Sequence, residues 1–329
     1  MSQADFHTGS LLDVPPFATH ELAPSPQQQR ALAMAGTPAE RQAFALAVRI
    51  DVEGFKLASR FMEHLLERAR RTRCPGGLWL LGDGGSGKTF ALTSFSLRHP
   101  HTTQGVNQTC EVLRLAFESR PSESDIWLGI LLQLGQNPDA LLRLKNRELK
   151  SLALLAMQQA GVRMILFDEA QHLWISSSAS GGKRSRDRLG GQLGDLLKRL
   201  YDETGVAFVF AGTPGLHAYI DQDTQANTRW PAVRHLEEFQ CDERFLGVLE
   251  VLDIALPMEQ PASLSEPELS KQIFVSTRGN FRRLKAFLAQ AVFIAANAGA
   301  KSIERKHLRQ SHFEMYCEER TPYGFYSPN

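Results

Sequence analysis

Several things are scarce in this sequence. It has only four cysteines, Cys74, Cys110, Cys241 and Cys317, far apart, with no Cys-x-x-Cys pair and no histidine at metal-ligand spacing. A disulfide framework is thereby excluded, and reduced structural thiols in a cytoplasmic chain are expected. No run of 18 apolar residues occurs, so no membrane-spanning helix is expected. The N-terminus also lacks the basic-then-apolar order of a signal peptide. An excess of one charge is missing too: 37 Lys plus Arg stand against 36 Asp plus Glu, a net charge of +1. Whole-molecule attraction to nucleic acid is therefore excluded, although a local basic surface is not. Of the basic residues 27 are arginine, which forks onto phosphates but also serves ordinary ion pairs. What is present, 329 residues with 43% apolar and 22% charged, suits one large or two ordinary globular domains.

Residues 1–37 carry Pro15, Pro16, Pro24, Pro26 and the run Gln27-Gln28-Gln29, and are expected to form a mobile arm. Thr37, Pro38 and Glu40 make a helix-start signal, and helical spacing continues through Phe61, Leu65 and Leu66 until Cys74-Pro75-Gly76-Gly77 breaks it. Short apolar runs follow at Leu78–Leu81, Val112–Phe117, Val162–Phe167 and Val206–Phe210, with a weaker one at Arg234–Phe239. Helical stretches at 89–97, 124–134, 137–159 and 189–204 separate them. Strand alternating with helix predicts a parallel α/β sheet of about five strands flanked by helices. From Pro257 only helical patterns remain, at 266–276, 280–297 and 303–318. The expected plan is thus a core over 38–256, a helical lid over 257–318 and a tail over 319–329.

The octet Gly82-Asp83-Gly84-Gly85-Ser86-Gly87-Lys88-Thr89 fits G-x-x-x-x-G-K-[ST] in full, between an apolar run and a helix. Its glycines let successive backbone N–H groups converge on one phosphate, and the following helix adds its positive end. Lys88 is the charge for the β/γ oxygens, Thr89 a ligand for Mg²⁺, and Phe90 the next residue along the nucleotide. Met164–Phe167 ends in Asp168 and Glu169. Two acids at the end of a buried parallel strand are costly without a metal or partner, and they lie where such sheets bind ligands. Asp168 is expected to hold Mg²⁺ and Glu169 to polarise a water as general base; an acidic helix cap is the plainer alternative.

The continuation Asp168-Glu169-Ala170-Gln171-His172 resembles the Walker B region of AAA+ ATPases, and specifically that of the TniB/TnsC family of transposition regulators. Val206–Gly215 (VAFVFAGTPG) resembles that family's fourth strand and sensor 1, Asp223–Trp230 (DTQANTRW) its arginine-bearing segment, and Gly279–Leu284 (GNFRRL) the start of its lid helix. The resemblance spans about residues 40 to 312. It implies a P-loop NTPase (AAA+) core using ATP and Mg²⁺. Thr213 would orient water or the γ-phosphate, or else simply form a turn before Pro214. Arg229, with Arg234 as competitor, would reach a neighbouring subunit's nucleotide in a ring or helical filament. Arg282, or Arg283, would be the sensor 2 arginine.

Lys183, Arg184, Arg186 and Arg188 lie in the Ser/Gly-rich stretch 175–189. Such a loop can track a phosphate backbone without reading bases; a solvated charge run is the alternative. Family resemblance further implies assembly on double-stranded DNA in the bacterial nucleoid, with a TniQ-type target selector and a DDE transposase as partners. An AAA+ initiator or clamp-loader-like ATPase, or a nucleotide-gated interaction module with little turnover, are the competing expectations.

Overall fold

The computed structural model describes residues 25–50, 53–104, 107–117, 121–173 and 191–316. Three helices, α1 (Pro26–Ala35), α2 (Pro38–Ala47) and α3 (Glu53–Arg71), precede the first strand β1 (Gly77–Leu81) and helix α4 (Lys88–Arg98). A small antiparallel hairpin, β2 (Thr102–Gln104) and β3 (Asn107–Thr109), leads to β4 (Val112–Ala116). Then come α5 (Glu123–Gln133), α6 (Pro138–Leu141), α7 (Asn146–Ala160), β5 (Met164–Asp168) and a 3-10 turn at Ala170–Leu173. Next are α8 (Gly191–Thr204), β6 (Ala207–Gly212), α9 (Leu216–Gln222), α10 (Thr224–Arg229) and β7 (Ala232–His235). Helices α11 (Glu243–Ala255), α12 (Pro267–Thr277), α13 (Phe281–Asn297) and α14 (Arg305–Tyr316) complete the described chain.

The chain divides into two compact units. The first includes Leu57–Gly84 and Lys88–Leu236. Its sheet has the order β4-β5-β6-β1-β7 with every pair parallel, as strand alternating with helix predicts. Strands β1, β5 and β6 are buried along their whole length, which is why they read as unbroken apolar runs. Edge strand β7 begins at Ala232 rather than at Arg234 and is only half-buried. Trp79, Phe208, Phe210 and Trp230 interlock under one face, and the Trp79 indole N–H donates to the Trp230 carbonyl at 2.9 Å. Gly77 is needed there, because a Cβ would come within 2.6 Å of the Trp230 ring.

Asp223 caps α10, accepting from the amides of Gln225 and Ala226 at 3.0 Å each, and is paired at 2.7 Å with the buried Lys198 ammonium. The predicted helix over 137–159 is interrupted between α6 and α7. Likewise, the helical stretch from Pro38 is two helices, α2 and α3, rather than one.

The second unit gathers the segment ending at Lys56, the turn Gly85–Gly87, and the chain from Glu237 onward. Two expectations are corrected here. Residues 26–35, placed in a mobile arm, form α1: Ser25, Pro26 and Gln28 repeat the helix-start signal seen at Thr37. The Arg30 guanidinium fastens this helix to the carbonyls of Leu256 and Met258, at 2.8 and 2.6 Å. The helical unit begins at Glu237 rather than 257, because Phe245 of α11 packs on Phe239 and Phe274. It also recruits α2. Gln42 donates to Gln290 of α13 at 2.7 Å, and Lys285 of α13 donates to the carbonyls of Leu46 and Val48. Burial there pushes Lys285 down to about 8. The tail over 319–329 lies outside the described residues.

Burial alone raises the Asp223 pKa, but the Lys198 ammonium and the α10 amides hold it below the ordinary carboxylate value. Its stabilisation is therefore complete above the unfolded-state pKa and is lost as pH falls through the lowered folded-state value. Lys198→Met is expected to cost about 3–5 kcal/mol in urea unfolding at pH 7, because it leaves a buried carboxylate unpaired. Asp223→Asn is expected to flatten the acid limb of the stability curve below about pH 4.

Candidate nucleotide site

The residues that sequence spacing singles out converge at the carboxyl ends of the strands. Strand β1 delivers Gly82, whose amide donates to the Gly212 carbonyl at the end of β6 at 3.1 Å. Helix α4 starts at Lys88, and its buried ammonium donates to the carbonyls of Gly82 and Asp83 at 2.7 and 2.8 Å. The side chain is thus folded back over its own loop. One residue on, the Thr89 hydroxyl donates to Asp168 Oδ1 at 3.2 Å. Motifs 79 residues apart in sequence thereby share a hydrogen bond. Asp168 is 2% exposed, which only ionic or hydrogen-bonding partners make tolerable.

Those partners include one that sequence reasoning missed. Arg114 Nη2 lies 2.8 Å from Asp168 Oδ2. The signal for it was a single arginine inside the apolar strand VLRLA. Glu169 follows in the left-handed region, with φ 52, and its amide donates to Asp168 Oδ1 at 3.1 Å. A non-glycine residue held there stores strain of the kind found at functional sites. The Gln171 side-chain amide donates to the Glu169 carboxylate, a second partner with no role expected from the sequence. Thr213 is exposed just beyond β6, beside the strand end that receives Gly82. Phe90 is partly exposed on α4.

Arg229 ends α10 with one guanidinium edge, Nε and Nη2, donating to Asp202 at 3.0 and 2.7 Å, while Nη1 donates to the Gln225 carbonyl at 3.2 Å. The Asp202 carboxylate raises its pKa. Its carbonyl lies beside Gly76, before the first residue of β1. The phosphate loop leaves the other end of that strand, so roughly 20 Å of chain separates them at about 3.3 Å per residue. Arg234 lies further along β7 with its guanidinium over the Phe61 ring, 4.1 Å from the centroid. The structure thus brings Lys88, Thr89, Asp168, Glu169 and Thr213 to one end of the sheet and holds Arg229 away from them. Lys183, Arg184, Arg186 and Arg188 lie outside the described residues.

In the second unit, the turn Gly85–Gly87 has φ of 85° at Gly85 and 101° at Gly87. A Cβ on Gly85 would fall 2.4 Å from the Asn280 carboxamide, and one on Gly87 would fall 2.6 Å from the Phe55 ring. Asn280 caps α13 by accepting from Arg283 N at 3.2 Å and donates to Glu238 at 2.6 Å. Arg282 touches the turn through its backbone, its amide donating to the Gly85 carbonyl at 3.0 Å, while its side chain is exposed. The Ser86 hydroxyl is buried without a hydrogen-bond partner among the described residues, and a Cβ on Gly84 would meet nothing within 4 Å. A buried hydroxyl with no partner among the described residues, in a turn of positive-φ glycines, fits a phosphate-binding loop.

A parallel sheet in this order, with a phosphate loop after one strand and an acid pair after another, defines an AAA+ P-loop NTPase fold. The chain belongs to the TniB family: the family described as "Bacterial TniB protein" matches residues 50–240. A comparison with curated proteins finds no match. Among solved structures, the fold is similar to the Aeropyrum pernix ORC1 protein in complex with DNA. The two are 18% identical with TM-score 0.56, covering 83% of this chain and 69% of that one. It is also similar to Cdc6p from Pyrobaculum aerophilum (17%, TM-score 0.57, 80% and 68% covered). Thermotoga maritima RuvB is a third (11%, TM-score 0.50, 82% and 71% covered). No helix among the described residues is long and apolar enough to cross a membrane.

Gly85→Ala is expected to destabilise the protein by more than about 1 kcal/mol, since φ is positive and Asn280 blocks the added carbon. Asn280→Gly in the same chain is expected to recover the steric part, leaving the conformational part. Chemical denaturation of the two single variants and the double variant measures this coupling.

Proposed function

We propose that this chain is an ATP-dependent AAA+ regulator of DNA transposition that assembles on duplex DNA and links a TniQ-type target selector to a DDE transposase. The observation that supports it most directly is the Thr89–Asp168 hydrogen bond, which joins the phosphate loop to the acidic strand end within a chain of the TniB family. Structural relatives described as a DNA complex and as ADP and ADPNP–ADP forms point the same way.

In this reading the Gly82–Thr89 amides and Lys88 bind the triphosphate, Lys88 leaving its loop carbonyls for the β/γ oxygens. Thr89 and Asp168 would hold Mg²⁺, which when bound supplies charge against the bridging phosphate oxygens. Glu169 polarises the attacking water, held in place by Gln171, and Thr213 orients the water or the γ-phosphate. Arg282 reports nucleotide state from the helical unit. Arg229 cannot serve its own loop from the opposite end of the sheet, so it acts on the nucleotide of a second copy. Release from Asp202 accompanies that engagement. ATP then bridges protomers of a ring or filament, and hydrolysis loosens the joint. Lys183, Arg184, Arg186 and Arg188 contact the DNA backbone. The assembly works in the bacterial cytoplasm, at the nucleoid.

ATP turnover and particle size, measured with and without duplex DNA, test the proposal; a rate indifferent to DNA together with no DNA-dependent assembly overturns it. Lys88→Ala is expected to abolish ATP binding, whereas Glu169→Gln is expected to bind ATP but lose about a hundredfold or more in turnover. Mixing inactive Arg229→Ala and Lys88→Ala proteins is expected to restore activity at junctions pairing an intact loop with an intact arginine.

A further inference from the structure

Arg114 is left without a role by this chemistry, yet it occupies a costly position. It stands in the middle of β4, with a side chain 13% exposed, where neighbours on both sides are apolar and buried. The register pairs Arg114 with Leu166, two residues before Asp168 on β5. Residues two apart on a strand share a face, so pairing alone turns Arg114 toward Asp168. Its Nη2 then reaches Asp168 Oδ2 at 2.8 Å, while Oδ1 accepts from the Thr89 hydroxyl at 3.2 Å and the Glu169 amide at 3.1 Å. Arg114 Nε is buried without a hydrogen-bond partner among the described residues. A guanidinium desolvated with an N–H unsatisfied is a poor choice for stability alone, where apolar packing serves as well or better.

We propose that Arg114 is the cation of Asp168 when no metal is bound, a positioning residue that sets how far nucleotide binding depends on Mg²⁺. The proposal rests on the reading of Gly82–Thr89 as a nucleotide loop. Three charged groups besides Arg114 bear on this corner. Asp168 is shared with Thr89, Glu169 is held by Gln171, and Lys88 sits on the carbonyls of Gly82 and Asp83. With Arg114 in place, the buried carboxylate meets an incoming polyphosphate already neutralised and oriented. Metal-free nucleotide is then tolerated, and Mg²⁺ gains less by arriving. Without Arg114, the same carboxylate repels metal-free nucleotide and attracts Mg²⁺. Both changes move one observable, the ratio of the ATP dissociation constant in EDTA to that in Mg²⁺, in the same direction. An arginine that merely joined β4 to β5 would lower stability or shift both affinities together and leave the ratio alone.

The test is calorimetric ATP binding to the full chain in Mg²⁺ and in EDTA, for wild type, Arg114→Lys and Arg114→Met. The wild type is expected to bind ATP measurably in EDTA. The ratio is expected to rise about tenfold or more in Arg114→Met, as loss of a unit charge a few ångströms away implies. It is expected to stay near wild type in Arg114→Lys, which keeps the charge. Thermal melts in EDTA check that the variants are folded, and Arg114→Gln replaces the methionine variant if that one is not. A wild type that binds only with Mg²⁺, or a folded neutral variant with an unchanged ratio, overturns the proposal while leaving the nucleotide site standing. A wild type that binds ATP under neither condition overturns the nucleotide reading itself.

Discussion

A carboxylate almost wholly withdrawn from water, Asp168, is the constraint around which the end of the sheet is arranged. At 2% exposure it must be neutralised and hydrogen-bonded, and three elements converge to do so: Thr89 from α4, the Glu169 amide from its own strand end, and Arg114 from β4. Such convergence requires β4 and β5 to be adjacent and parallel, with β1 two strands away carrying the phosphate loop, as the observed order provides. The flanking apolar strands cannot slip, because a one-residue shift would turn Arg114 into the opposite layer and leave Asp168 unpaired. Register, burial and charge are thus one problem with one solution.

The same economy governs the other end of the first unit. Trp230 fills the layer under β1 and β6 and fixes the entry to β7, while Asp223 and Lys198 pin the start of α10. Between these two anchors Arg229 is held on Asp202. A partly exposed arginine paired with one carboxylate can be exchanged to another anion at modest cost, whereas α10 itself is anchored by a buried ion pair. A surface-facing ion pair on an anchored helix suits contact with a second copy, the role proposed for Arg229.

Much of the architecture was legible because it is written in local periodicity. The apolar runs at 78–81, 112–117, 162–167 and 206–210 each became a parallel strand, and the helix-start signal at Thr37 became a cap. Legibility failed where a local signal competed with composition or with long-range packing. The prolines and glutamines of residues 24–29 suggested an arm, but Ser25, Pro26 and Gln28 also cap a helix, and Arg30 anchors that helix to carbonyls 226 and 228 residues away. The second unit starts at Glu237 because Phe245 finds Phe239 and Phe274, a contact no window of sequence reveals.

By itself, the sequence determined the phosphate loop, the acid pair, the alternation of strand and helix, and so the class of fold. Each is encoded within a few residues by backbone conformation, burial period or motif spacing. Only the tertiary structure decided which side chains answer those motifs: Arg114 for Asp168, Gln171 for Glu169, Asn280 beside Gly85, and Arg229 at the far end of the sheet from Lys88. Those pairings depend on strand order and register, which arise from the packing of segments distant in sequence and leave no periodic trace along the chain.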